Sequence, residues 1–139
     1  MQSSTSLRIA SGATLLLFAG HTAGGLNSWS PVGNTPVLDA MKSFRFPVNG
    51  FDRSYWHFYI GFGLNISVFL LAQAVVLWQL ASLVTVDPVR TRPMILVFLI
   101  ATLAAVVLDT KFFFAAPLAL TVAIGIFLGA ALLQTRSVR

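Results

Sequence analysis

The chain contains no cysteine and very little charge: nine Lys or Arg and four acids, all Asp, among 139 residues. Without cysteine there are no disulfides, no thiolate metal sites and no thiol redox chemistry. Charged residues make up 9% of the chain, against about a quarter in a soluble globular domain. Together with a mean hydropathy of +0.85, this excludes a disordered chain, a collagen and an ordinary soluble enzyme. No internal repeat and no low-complexity tract beyond the apolar bias is present. What is there is hydrophobic: 57% of the residues, in long uncharged runs. The formal charge of +5 is dispersed, so it reads as membrane topology and not as a nucleic-acid patch.

At about 20 residues per crossing, the length allows four or five spans and no separate soluble domain. Charges and prolines divide the chain into four: residues 7–26, 55–83, 94–114 and 117–133. Ser54 is the expected N-cap of the second span, which at about 43 Å exceeds the roughly 30 Å hydrocarbon core and must tilt or protrude. Pro93 is read as the helix-start proline of the third span, and Ala115-Ala116-Pro117 as the reversal before the fourth. The expectation is an all-α integral membrane fold: a single domain, residues 1–139, forming a four-helix antiparallel transmembrane bundle.

The one long loop, residues 27–54, contains a stretch that reads as a short helix. Thr35 can cap it and Pro36 suits its first position. Val37, Met41 and Phe44 share a face, as in an amphipathic helix lying at the bilayer surface; the plainer alternative is an ordered loop with one helical turn. Arg8, Arg90, Arg92, Arg136 and Arg139 fall on one side of this topology and Lys42, Arg45, Arg53 and Lys111 on the other. That bias places both termini in the cytoplasm and the loop outside, in a multi-pass protein of the cell membrane, the inner membrane if the source is bacterial. Residues 1–25 also have the outline of a secretory signal, with Arg8, an apolar run and small residues near Ala23-Gly24; the membrane-span reading is preferred.

Polar residues inside apolar spans carry the functional information, because placing them there is costly. His21 lies near the outer end of the first span, His57 near the outer start of the second and Asp109 near the outer end of the third. At about 100° per residue, each shares a face with small residues. The expectation is that His21, His57 and Asp109 point inward and share an outer layer, with Asp109 accepting a hydrogen bond from an imidazole. The plainer reading is that the histidines bond across helices or to loop carbonyls and fix packing. Two histidines at one depth would also suit two axial haem ligands, or with Asp109 a two-His, one-carboxylate metal site. There is no Glu-x-x-His motif, and no cofactor is expected.

Tyr55, Trp56, Phe58, Tyr59 and Phe62 open the second span and Phe112 to Phe114 close the third. They read first as an aromatic belt, otherwise as walls for a flat lipophilic ligand. Asn65 and Gln73 are expected to bond between helices. Gly24-Gly25 is read as the end of the first span. Gly125 and Gly129 form a GxxxG pattern for close packing, within the bundle or in a homodimer or larger complex.

The strings GHTAGG, SYWHFYIGFG and LWQLASL resemble an uncharacterised family of small bacterial four-transmembrane-helix proteins. The likeness covers nearly the whole chain and implies the four-span fold. A looser architectural likeness is to sterol isomerase-like membrane proteins, which place acid/base and aromatic residues in a lipid-accessible cavity. The pair of acids expected there is missing here, since Asp109 is the one carboxylate inside a span. Three functions follow as expectations. The first is a lipid-binding protein that holds a lipophilic small molecule in an outer-leaflet pocket, with His21, His57, Asp109 and Asn65 as polar contacts and Trp56, Tyr59 and Phe113 as walls. The second is an accessory subunit of a larger membrane complex. The third is a membrane enzyme or haem protein using the histidine pair.

Overall fold

The computed structural model describes residues 2–135 and is 79% helical. Five helices and one hairpin follow in order: α1 (Ser3–Leu26), α2 (Pro36–Ser43), β1 (Arg45–Val48), β2 (Phe51–Ser54), α3 (Tyr55–Leu83), α4 (Pro88–Phe112) and α5 (Ala115–Gln134). Four of them, α1, α3, α4 and α5, are long and apolar enough to cross a membrane. Arg136 and Arg139, two of the cations that orient the topology, lie outside the described residues.

The limits of α3 coincide with the expected second span. Those of α4 do not: it starts six residues early, at Pro88, and Pro93 lies inside it. Asp87 is the stronger start signal. Its carboxylate accepts from the Arg90 N–H at 3.0 Å, with proline at the first helical position. Pro93, further in, only removes one hydrogen bond next to the helix start. Likewise Phe113 and Phe114 form the reversal and α5 begins at Ala115. Pro117 is then in the first turn, where a missing N–H costs nothing.

α2 forms where capping predicts it. The Thr35 hydroxyl accepts from the Leu38 N–H, and Pro36 is the first helical residue. After α2 comes a feature absent from the sequence reading, a two-stranded antiparallel hairpin pairing Arg45 with Ser54 and Val48 with Phe51. Its turn is Asn49-Gly50, with φ of +48° and +85°. An Asn-Gly pair supplies the two positive φ values that a two-residue turn between twisted strands requires. Arg45 and Asp52, on one face of the hairpin, are joined by an ion pair of 2.7 Å.

The chain resolves into two compact units. Among the described residues, 2–17 and 70–135 form the first and 18–69 the second. The core of the first unit is Leu7 and Ala10 from α1, Leu77, Leu80, Ala81 and Val84 from α3, Ile95 from α4, and Ile124, Leu128 and Ala131 from α5. Its buried threonines all use the same device. Thr14, Thr91, Thr102 and Thr121 each donate to the carbonyl four residues back, on Ala10, Asp87, Phe98 and Pro117. A hydroxyl without a partner would be costly in hydrocarbon, and the helix's own carbonyl is always in reach. Ser11 instead donates across to Ala74 O, at 2.7 Å.

Candidate functional site

The second unit is organised around Trp29, a residue the sequence reading passed over. α1 ends at Leu26, the expected limit of the first span, with Gly24 and Gly25 in its last turn. The chain reverses two residues later, at Ser28, with φ +58°. The Trp29 N–H bonds to Gly24 O and the Ser28 N–H to Gly25 O, the nested pair that closes a helix when the residue after its C-cap is left-handed. This reversal folds Trp29 back over the last turn of α1. The two glycines, with Gly63 of α3, make room for its indole. A Cβ at Gly25 or Gly63 would come within 2.6 or 2.5 Å of the ring, and one at Gly24 within 3.3 Å.

The indole is also pinned by its polar edge. Its Nε1–H donates to His21 O at 2.7 Å, and the Tyr59 hydroxyl donates to Trp29 O at 3.0 Å. His21 Nε2 is 2.9 Å from Gly63 O. A carbonyl can only accept, so this nitrogen carries the proton. The next residue of α1, Thr22, donates to the Ser67 hydroxyl at 3.0 Å, one turn further along α3. Gly63 and Ser67, four residues apart and both buried, are the small-residue pair that lets the helix backbones approach here. The sequence signals were a tryptophan in a polar loop four residues after a Gly-Gly pair, and a glycine four residues before a serine on α3.

His57 has a different role. Ser54 is fully buried, and its backbone N–H donates to His57 Nδ1 at 3.0 Å. Its hydroxyl lies 2.9 Å from the same nitrogen. A backbone N–H can only donate, so Nδ1 is the unprotonated nitrogen and the imidazole is neutral. Ser54 and His57 stand three residues apart at the start of α3 and make one half of a capping box, with His in place of the usual Glu or Gln; the Ser54 hydroxyl donates to the same imidazole nitrogen. The imidazole ring is exposed, as are Leu64, Val68 and Val75 along its face. The expectation that His57 points into a bundle is therefore corrected: the buried side of α3 in this unit is that of Gly63 and Ser67. Replacing Ser54 by alanine removes the hydroxyl's hydrogen bond to the imidazole and is expected to lower stability by about 1 kcal/mol. Replacing His57 by glutamine, which can complete the box, should cost less than replacing it by alanine. Denaturant titration in detergent followed by circular dichroism would measure both.

The other predicted residues separate. Asn65 is exposed and donates back to Gly61 O of its own helix, at 2.8 Å, which corrects the interhelical bond expected of it. Trp56 is half-buried, with Lys42 Nζ 4.7 Å above its ring, a cation–π pair. Tyr59 is engaged with Trp29. Asp109, in the first unit, is half-buried, and among the described residues no side chain pairs with its carboxylate. Phe113 is exposed. Among the described residues no three His, Asp or Glu side chains gather closely enough to hold a metal ion, so the two-His, one-carboxylate centre is not assembled. Of the GxxxG pair, a Cβ at Gly125 would stand 3.5 Å from Thr102 of α4, while one at Gly129 would meet nothing. Gly125 thus serves packing within the chain.

Around the start of α3 the rings of Phe44, Phe46, Tyr55 and Phe58 touch in sequence at centroid distances of 4.9 to 6.2 Å. Exposed aromatic rings beside Lys42, Arg45 and Arg53 suit the level of lipid headgroups, where apolar and polar contacts are both available.

Four helices long and apolar enough to span a bilayer define the class as a multi-pass membrane protein. Compared with known protein families, curated proteins and solved structures, the chain finds no match.

Proposed function

We propose that the protein is a non-catalytic accessory or scaffolding component of the cell membrane. It is an antiparallel four-helix bundle with both termini cytoplasmic, and residues 27–54 form the outer loop. One observation carries this reading: both histidines are engaged in holding the fold. His21 ties α1 to Gly63 of α3 and His57 caps α3. Neither pairs with a carboxylate among the described residues, as an acid/base site would need. The space beside His21 is filled by the Trp29 indole.

An accessory component works in an assembly. Native mass spectrometry of the full chain released from nanodiscs is expected to give an assembly of defined stoichiometry, heavier than the single 15.0 kDa chain. A stable monomer under the mildest release conditions overturns the proposal.

The lipophilic-ligand reading keeps one observation in its favour. His21 is half-buried and uses one ring nitrogen, which leaves Nδ1 as an acceptor for a ligand hydroxyl. A small-molecule mass retained by the wild type and lost in His21→Ala would favour it over the scaffold. An absorption spectrum on the same sample tests haem, through the presence or absence of a Soret band.

A further inference from the structure

In the first unit, α1 and α3 border a groove of about 280 Å³ lined by Ser11, Leu15, Leu71, Ala74, Val75, Trp78 and Gln79. We propose that this groove is a binding site for one anionic phospholipid, whose phosphate sits on Arg8 and whose acyl chain lies along the groove.

The groove is apolar along its length. The one hydroxyl in its wall, on Ser11, is already bonded to Ala74 O. Arg8 marks one end, its guanidinium 5.3 Å from the centre of the Trp78 ring. Among the described residues Arg8 makes no ion pair. The nearest acid in sequence to this end of α3 is Asp87, which binds the Arg90 backbone and side chain. Arg8 is therefore an exposed cation held at a fixed level by an indole, with no carboxylate to neutralise it. Arg and Trp are the residues that anchor at the headgroup boundary. A guanidinium is the donor that matches a phosphate, and Gln79, next to Trp78 in the groove wall, offers an amide to a phosphate or ester oxygen.

The dimensions fit. From Arg8 to Leu15 and from Trp78 to Leu71 are seven residues each, a helical rise of about 10 Å. A bilayer leaflet contributes about 15 Å of hydrocarbon. The groove therefore follows the upper two-thirds of a chain whose phosphate is at Arg8. Under the proposed topology this is the cytoplasmic leaflet; the site itself depends only on Arg8 and the groove.

The test uses the full chain in nanodiscs holding equal amounts of phosphatidylglycerol and phosphatidylcholine, with retained lipid read by native mass spectrometry. The wild type is expected to retain phosphatidylglycerol preferentially, at one lipid per chain. Arg8→Gln should reduce that preference about fivefold, the share of one basic residue at a membrane surface. Val75→Trp, at an exposed wall position, should fill the groove and reduce retention of both lipids. Arg90→Gln should change neither. No preference in the wild type, or a preference unchanged in Arg8→Gln, overturns the site. So does loss in Arg8→Gln without loss in Val75→Trp, because the lipid would then be held by charge alone. A mass of two chains that Val75→Trp converts to one would assign the groove to a second copy instead. A monomer that still retains phosphatidylglycerol would overturn the scaffold while leaving this site standing.

Discussion

Replacing Trp29 by alanine should destabilise the second unit by about 3 kcal/mol or more, the usual cost of removing a large packed aromatic ring. The ring fills a slot lined by Gly24, Gly25 and Gly63, and its Nε1–H satisfies His21 O. Gly63→Ala should also destabilise, by about 1 to 3 kcal/mol, since its Cβ would stand 2.5 Å from the indole. Combining the two changes provides the sharper result. With the indole gone, the new methyl group has room, and alanine is the better helix former by roughly 1 kcal/mol. Gly63→Ala should therefore change sign, from destabilising in the wild type to neutral or stabilising in Trp29→Ala. Unfolding in mixed micelles, followed by circular dichroism so that the readout does not depend on the lost tryptophan, would measure all four corners of the cycle. Simple additivity would show that the indole does not occupy the slot.

The second large effect separates packing from hydrophobicity. Leu77 is 0% exposed, in the core of the first unit, and Leu71 on the same helix is 42% exposed. In water, burial against exposure would explain any difference between them. In a bilayer both side chains stay in an apolar medium, and lipid tails are as apolar as leucine. Leu77→Ala should nevertheless cost about 2 to 5 kcal/mol, because it opens a cavity among Leu7, Leu80, Ile95 and Leu128 that the surroundings close only in part. Leu71→Ala should cost little, because a lipid chain can follow the changed surface. Equal losses, measured by the same unfolding titration in lipid-rich micelles, would count against a packed core of this composition.

Much of the fold was legible in one dimension because its causes are local. Four uncharged apolar runs are needed for four spans. Thr35-Pro36 and Ser54 mark helix starts by hydrogen bonds made within a few residues. Asp87-Pro88 carried the same kind of signal and outweighs Pro93. The Asn49-Gly50 turn was an equally local signal, inside a segment that was read as a loop with one short helix. The candidate site was legible only as a set of costly residues. Facing directions taken at 100° per residue put His57 on an inward side. Three residues from a buried N-cap, its ring found a nearer partner in the Ser54 N–H.

By itself, then, the sequence determined the class, the number of spans and most helix ends, since composition and capping act over one helix turn or one bilayer thickness. Only the tertiary structure decided what the polar residues do. That outcome depends on which backbone comes within about 3 Å of each imidazole, and so on a left-handed reversal at Ser28 and three glycines drawn from two helices. Those glycines are separated by nearly 40 positions in the chain, and no periodicity links them to Trp29. What joins them is the volume of one indole.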